Sequence, residues 1–363
     1  MHLTWLEIKD FRPYEMLRLV PDEGVNILVG DNGAGKTSIL EAIGYLGMMR
    51  SFRGVSDSAL VREGSEAAVI RGGFGGAASE MKVECELPVT GRRTVLVNEK
   101  RPKRFHDVLL SVPVVAFVPD DLDVIKRGPA LRRDYLDDLA ARLWPQAGQD
   151  LTEYERALRQ RNALLRQDGR RTDPSTLGVW DDRLADAGSR VLIHRRNLAV
   201  ALQPHLENAY TVVGGVGSLT WSYRSTWGSE HAGDLKALRS ALSAALRDKR
   251  GKDMDVRTTT VGPHRDEPNL LLDDRSTRTR ASQGEQRTAA LALRIGAYRV
   301  IEEIRDQKPI LLLDDVFSEL DRERANRVVS LTEAGQVFVT TARDDELPIR
   351  GRRWLVKEGN VSG

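Results

Sequence analysis

The sequence predicts an α/β fold in which both ends of the chain build one lobe around a second, mostly helical lobe. Three observations predict it. An apolar run, VNILV, leads into a glycine-rich loop and then a helical pattern, DNGAGKTSILEAIGYLGMM. Past residue 280 the chain alternates helix, PILLLDD, helix, QVFVTTA, which is the signature of a parallel sheet. Between these parts, from about Asp123 to Leu206, the pattern is helical. The expected division is therefore 1–122 plus 280–363 for the first lobe and 123–279 for the second. A chain of 363 residues is long enough to give each lobe its own core.

In chain order, LTWLEI alternates as a strand and KDFRPYE is a charged turn before VNILVG. From Ala68 to Val97, alternation with many glycines predicts an antiparallel meander, and VPVVAFV is a buried-type strand. ALRRDYLDDLAARL, LTEYERALRQRNALLRQ and the stretch from Thr176 to His205 read as helices, broken once by GRRTDPST. SLTWSYRS reads as a strand, DLKALRSALSAALRDK as an amphipathic helix, and TTTVGPH and NLLLDD as strands. The helical part offers at most about 30 consecutive helical residues, or about 45 Å, and lacks heptads, so long coiled-coil arms are excluded.

With hydrophobic residues at 40%, charged residues at 30% and a net charge of +2, the composition describes a globular chain and is neutral on nucleic acid. One cysteine, Cys85, allows no intrachain disulfide and suits a reducing cytoplasm. The N-terminus carries charges every few residues, and no apolar run approaches about 18 residues, so neither a signal peptide nor a membrane span is expected.

The chemistry concentrates in two motifs. GDNGAGKTS fits G-x-x-x-x-G-K-[ST], and it has the required strand before it and helix after it. Gly30, Asp31, Asn32, Gly33, Ala34, Gly35, Lys36, Thr37 and Ser38 would wrap a phosphate chain with backbone N–H groups, aided by the helix dipole. Lys36 would pair with the β- and γ-phosphates, and Thr37 would offer its hydroxyl to Mg²⁺. In ILLLDDVFSELD, Asp314 and Asp315 end a doubly buried strand, where α/β sheets place their sites. Two adjacent carboxylates there call for a cation. Asp314 would hold Mg²⁺ through water, and Asp315 would orient or deprotonate an attacking water.

A third motif is ambiguous on its own. In ASQGEQR, Ser282 with Glu285 reads as a helix cap, yet Gly284 sits in the first helical turn, where glycine is disfavoured.

Taken together, the phosphate loop, Ser-Gln-Gly-Glu-Gln, LLLDD and SELD resemble the ATPase head of the ABC class, and especially its SMC-like branch. EIKDFRPYE, RSFRG, VAFVPDDLDVIKRGPALRRDYLD and TVGPHRDE extend the resemblance over nearly the whole chain, to the RecF family of bacterial recombination mediators. The resemblance implies an ABC-type head binding ATP and Mg²⁺, with Ser282, Gly284 and Gln286 reaching the γ-phosphate held by a second copy. It also implies an ATP-dependent homodimer that clamps duplex DNA near a single-strand gap, and partners RecR and RecO, which help load RecA. Arg12 would be the arginine near the nucleotide.

Three departures from the wider ABC pattern predict slow, switch-like hydrolysis. No glutamine stands in VPDDL, where Asp120 or Asp121 takes its place. Thr340 and Thr341 replace the histidine after the last strand, and Asp315 replaces a glutamate. For DNA, the candidates are Arg92, Arg93, Lys100, Arg101, Lys103 and Arg104 around a hairpin, and a second cluster of Lys126, Arg127, Arg132 and Arg133. His264 and Arg265 fit a nucleotide, interface or DNA element, or the cap of a strand turn. The ATP-binding subunit of a membrane transporter is the alternative reading. The missing glutamine and histidine and the basic hairpin speak against it.

Overall fold

Helix α1, Lys36–Met48, is buried on nearly every side, which an ordinary surface helix is not. Two sheets cover it. The computed structural model describes residues 1–75, 80–103, 108–109, 111–227, 234–318, 322–330, 335–343, 347 and 349–363. By packing, the chain forms two units, the first being 1–122, 208–216 and 290–363 and the second 123–207 and 217–289.

In the first unit, β1 (His2–Phe11), β2 (Tyr14–Leu19), β4 (Ala67–Gly75), β5 (Met81–Pro88) and β6 (Thr94–Val97) form an antiparallel sheet in the order β2-β1-β4-β5-β6. The other sheet contains β3 (Val25–Val29), β7 (Val114–Phe117), β11 (Ile310–Asp314), β12 (Val337–Thr341), β13 (Arg352–Lys357) and β14 (Asn360–Ser362). Its order is β14-β13-β3-β12-β11-β7, and all but β14 run parallel. The strands β7, β11 and β12 are buried at every position, as near-continuous apolar runs in parallel sheets should be. Tight packing of α1 requires small residues. A Cβ on Gly47 would lie 2.4 Å from Val114 Cγ2, and one on Gly44 2.9 Å from Phe52. Register then fixes the site: Thr341 lies beside Val29, and Thr340 beside Asp314, so the carboxyl ends of β3, β12 and β11 meet below the glycine loop.

The second unit draws on helices α2 (Leu122–Lys126), α3 (Pro129–Leu143), α4 (Pro145–Asp168), α5 (Pro174–Val212) and α6 (Leu235–Val256). A small antiparallel sheet, β8 (Leu219–Arg224), β9 (Glu267–Leu272) and β10 (Arg275–Ser276), completes it with α7 (Thr277–Arg280) and the start of α8 (Gln283–Arg305). Tyr154, Leu184, Leu192, Leu238, Leu242 and Leu246 share its core. Beside them Arg161, fully buried, bridges Asp181 at 2.7 Å and Asp253 at 2.8 Å.

Four expectations are corrected. Helix α5 runs 39 residues, about 58 Å rather than 45 Å, because it begins at Pro174 and continues past His205 to Val212; Pro204 within it removes one backbone hydrogen bond without ending the helix. TTTVGPH is not a strand: it is irregular and closes in a single 3₁₀ turn, Pro263–Arg265, held by side chains. β13 and β14, which add to the parallel sheet, were not foreseen. Packing also places 208–216 in the first unit and the second boundary after Ala289, so the signature residues belong to the second unit. Among the described residues no helix is long and apolar enough to cross a membrane.

Candidate functional site

The glycine loop owes its shape to close approaches that exclude side chains. Gly33 and Gly35 have φ of 84° and 108°, a region that favours glycine. A Cβ on Gly30 would lie 2.1 Å from the Val356 carbonyl oxygen, and one on Gly35 2.6 Å from the Tyr14 hydroxyl. That hydroxyl donates to the Gly35 carbonyl at 3.1 Å, tying the loop to β2. Asp31, Asn32 and Gly33 are exposed and Ala34 half-buried, so the loop's outer rim is open to a ligand. Lys36 is buried and folds back, donating to the carbonyls of Gly30 at 2.6 Å and Asp31 at 2.8 Å. Burial lowers its pKa, and Asp315, Asp314 and Asp31 oppose that shift. An ammonium satisfied only by carbonyls is poised to exchange them for phosphate oxygens.

Directly below, the Thr37 hydroxyl donates to Asp314 Oδ1 at 2.8 Å. Thr340 on the neighbouring strand donates to the same oxygen at 2.8 Å and accepts the Asp315 amide at 2.9 Å. Burial raises the pKa of Asp314; the two threonine hydroxyls and Arg53 pull it down, whereas Asp315 pushes it up. Asp315 itself turns the chain with φ 51°, a left-handed conformation of the kind held at functional sites by its surroundings. The donor set fits Mg²⁺. A hydroxyl and a carboxylate are the hard oxygen donors that Mg²⁺ takes, directly or through its own waters.

Arg12, with φ 54°, forks onto Glu41 of α1 through Nε at 2.9 Å and Nη2 at 3.1 Å, and its Nη1 donates to the Ala59 carbonyl at 3.2 Å. Glu41 is fully buried and also accepts from Ser51 at 2.5 Å. Sequence reasoning missed this pair, although a lone carboxylate in the otherwise apolar face SILEAIGY was a visible signal. It also left Thr340 as a mere replacement, with no sign that it would bridge Asp314 to the Asp315 amide. Asp121, offered as a stand-in for the missing glutamine, is held by Arg294 at 2.5 Å and accepts the Val118 amide at 2.9 Å. A carboxylate so engaged is a strand-end cap.

In the second unit, Ser282 and Glu285 cap each other: the Ser282 amide donates to the Glu285 carboxylate at 2.6 Å, and the Glu285 amide to the Ser282 hydroxyl at 3.3 Å. Ser282 and Gly284 are exposed, and a Cβ on Gly284 would meet nothing within 4 Å, so its neighbourhood is open. Gln286, by contrast, is buried and donates to the carbonyls of Thr277 at 3.0 Å and Arg278 at 3.4 Å. The three signature residues therefore do not present one surface.

Among the basic candidates, Arg92, Lys100, Arg101 and Lys103 are exposed. Arg93 does not join them: it turns inward, donating to the Met49 carbonyl at 2.6 Å and the Tyr45 hydroxyl at 2.9 Å. Arg104 lies outside the described residues. Lys126 and Arg127 are exposed, the latter paired with Asp123 at 2.8 Å. His264 receives the Tyr154 hydroxyl at 2.6 Å on Nδ1 and donates from Nε2 to the Thr259 carbonyl at 3.1 Å. Burial pushes its pKa down to about 4. Arg265 reaches the same carbonyl, through Nη2 at 3.3 Å. His264 thereby caps the turn, while the Arg265 side chain is exposed.

Comparison with known proteins agrees with the architecture. The profile described as RecF/RecN/SMC N terminal domain matches residues 2–348. The chain is 42% identical over 370 residues to the DNA replication and repair protein RecF of Acidothermus cellulolyticus, covering 99% of each. Against the protein of the same name from Streptomyces avermitilis it is 41% identical over 373 residues, again covering 99% of each. A solved structure described as the recombination mediator protein RecF-ATP in the RecFOR pathway superposes with a TM-score of 0.94 at 31% identity, covering 99% of this chain and 97% of that one. An Smc head bound to the C-winged helix domain of ScpA shares the fold at 17% identity, with a TM-score of 0.54 over 99% of this chain and 96% of that one. The fold is that of an ABC-type ATPase head with no long coiled coil among the described residues. By sequence and by structure, the chain belongs to the RecF/RecN/SMC N-terminal domain family and, within it, to the RecF proteins.

Proposed function

We propose that this chain is an ATP-driven switch of recombinational DNA repair, a slow ATPase that dimerises on ATP and clamps duplex DNA beside a single-strand gap. The observation that carries the nucleotide reading is the 2.8 Å contact between Thr37 and Asp314, set below a glycine loop whose lysine has only carbonyls to hold. In this reading Lys36 moves onto the β- and γ-phosphates, and the loop amides and the start of α1 cradle the rest. Mg²⁺, when bound through Thr37 and Asp314, would neutralise charge developing on the phosphates. Asp315 orients the attacking water. Its side chain is one methylene shorter than a glutamate's, which supports slow turnover.

Ser282 and Gly284, exposed at the start of α8, are the groups assigned to the γ-phosphate of a second copy. Gln286 supports them from behind by fixing the turn at Thr277 and Arg278. Arg12 is the arginine proposed to stand near the nucleotide, and it braces α1 through Glu41. Arg92, Lys100, Arg101 and Lys103 are the proposed DNA contacts in the first unit, with Lys126 and Arg127 in the second. RecR and RecO are the proposed partners, in line with the pathway named for the solved relative, and the cytoplasm is the proposed compartment. The relatives compared give the transporter alternative no support.

The experiment is sedimentation with Mg²⁺ and a non-hydrolysable ATP analogue, with and without duplex DNA, for wild type and Ser282→Arg. The reading expects ATP to convert monomer to dimer, DNA to strengthen the shift, and the variant to bind nucleotide while remaining monomeric. A wild type that stays monomeric, or a variant that dimerises normally, overturns it.

A further inference from the structure

The second unit contains a cationic cavity that the nucleotide reading does not use. It measures about 230 Å³ and is lined by Arg132, Arg224, Arg278, Ser222, Asn269 and Glu267, on α3, β8, β9 and α7. Arg132 is 5% exposed, yet it forms no salt bridge among the described residues; Glu267 acts on it only through its charge. Its Nε donates to the Pro268 carbonyl at 2.6 Å, and its Nη1 to the carbonyls of Arg127 at 2.9 Å and Val124 at 3.3 Å. Among the described residues its Nη2 has no partner, although the side chain lines the cavity.

A buried guanidinium held only by carbonyls keeps its full charge to offer, and burying such a charge is costly unless something anionic compensates it. The neighbours add to that charge. Arg224 and Arg278 are exposed and make no ion pair among the described residues; burial together with the charges of Arg278 and Arg133 lowers the pKa of Arg132, against the opposing charge of Glu267. The single carboxylate on the rim, Glu267, lies opposite Arg224 in the β8–β9 register without pairing with it. Helix α3 also opens towards the cavity at Pro129. It has no acidic residue in its first turn and carries Arg132 and Arg133 directly after it, the reverse of what a helix N-terminus favours on its own. Hydroxyl and amide groups of Ser222 and Asn269 complete a lining suited to an oxyanion.

We propose that this cavity binds one phosphate group, through the fixed guanidinium of Arg132 and the adjustable ones of Arg224 and Arg278. The volume accommodates a phosphate with its waters, and the lining offers guanidinium, hydroxyl and amide groups but no aromatic ring to stack a base, so the ligand is either a phosphodiester of nucleic acid bound from outside or a free phosphate. The site stands whether or not ATP bridges two copies.

The test uses the full chain with Lys36→Ala, so that the glycine loop does not report, in buffers free of phosphate. Inorganic phosphate is titrated calorimetrically, and a fluorescent 20-base-pair duplex by anisotropy, for this protein and for the same protein with Arg224→Ala and Arg278→Ala. Both arginines are exposed and make no ion pair among the described residues, so their loss should leave the fold intact. Weakening of phosphate uptake by roughly tenfold or more is expected. If duplex affinity falls with it, and the salt dependence becomes shallower, the ligand is a nucleic-acid phosphodiester. If phosphate uptake falls while duplex binding is unchanged, it is a free phosphate. Unchanged affinity for both ligands overturns the proposal.

Discussion

Thr340 holds Asp314 and positions Asp315 at once: its hydroxyl donates to Asp314 Oδ1 at 2.8 Å and accepts the Asp315 amide at 2.9 Å. Because the two residues sit opposite each other on β12 and β11, the parallel register is itself part of the site. Replacing Thr340 by Val keeps the shape but leaves the Asp315 amide without its acceptor and gives Asp314 one donor fewer. Thr340→Val should lower ATP turnover by roughly tenfold or more while nucleotide binding changes little, since a lost supporting bond mostly disturbs placement. Single-turnover hydrolysis beside equilibrium binding of a fluorescent nucleotide decides it, and equal loss in both would show that Thr340 supports the loop as a whole.

Gly35 is limited twice, by φ of 108° and by Tyr14 at 2.6 Å from its would-be Cβ. Gly35→Ala is expected to weaken ATP binding by roughly a hundredfold or more, since both loop strain and collision act on it. Adding Tyr14→Phe removes the hydroxyl but not the strain, so it should restore only part of the affinity. Full restoration would mean that backbone conformation is irrelevant there.

Glu41 depends on Arg12, which forks onto it from 22% exposure while the carboxylate itself is fully buried. Arg12→Ala leaves that carboxylate, among the described residues, with Ser51 alone, and should cost about 3 kcal/mol of stability. Arg12→Ala combined with Glu41→Gln should recover a good part, because the stranded charge is gone. Denaturant midpoints of the two variants provide the comparison; identical midpoints would show that Glu41 does not need the pair.

His264 makes the second unit sensitive to acid in a defined window. Burial holds it at about 4, against 6.5 for an ordinary histidine, so between these values the unfolded chain binds a proton that the folded chain does not. Stability therefore falls as pH drops from 6.5 to 4, by about 3 kcal/mol in all for this group. Asp266, pushed up to about 6 by burial, acts with the opposite sign over much of the same range. Wild type and His264→Gln share the Asp266 effect, so the difference between their unfolding free energies at pH 7 and pH 4.5 isolates the histidine. The variant should lose less stability on acidification; parallel curves would exclude a neutral buried His264.

The sequence by itself determined the strand–loop–helix at Val25 to Met48 and the carboxylate-ended strand at Ile310. Both are local patterns: periodicity, glycine at positions of positive φ, and an apolar run closed by Asp314. It also established the family, since the motifs run nearly the length of the chain. It did not reveal Arg93 turning in to Met49, Gln286 turning in to Thr277, or Arg132 reaching Pro268, because a side chain's direction depends on partners distant in sequence. Nor did it disclose that α5 runs on from His205 to Val212. Tertiary structure alone decided that Thr37, Asp314 and Thr340 meet. They are separated by 277 and 26 residues, and only the alignment of parallel strands beneath a doubly covered helix brings their oxygens within hydrogen-bonding distance.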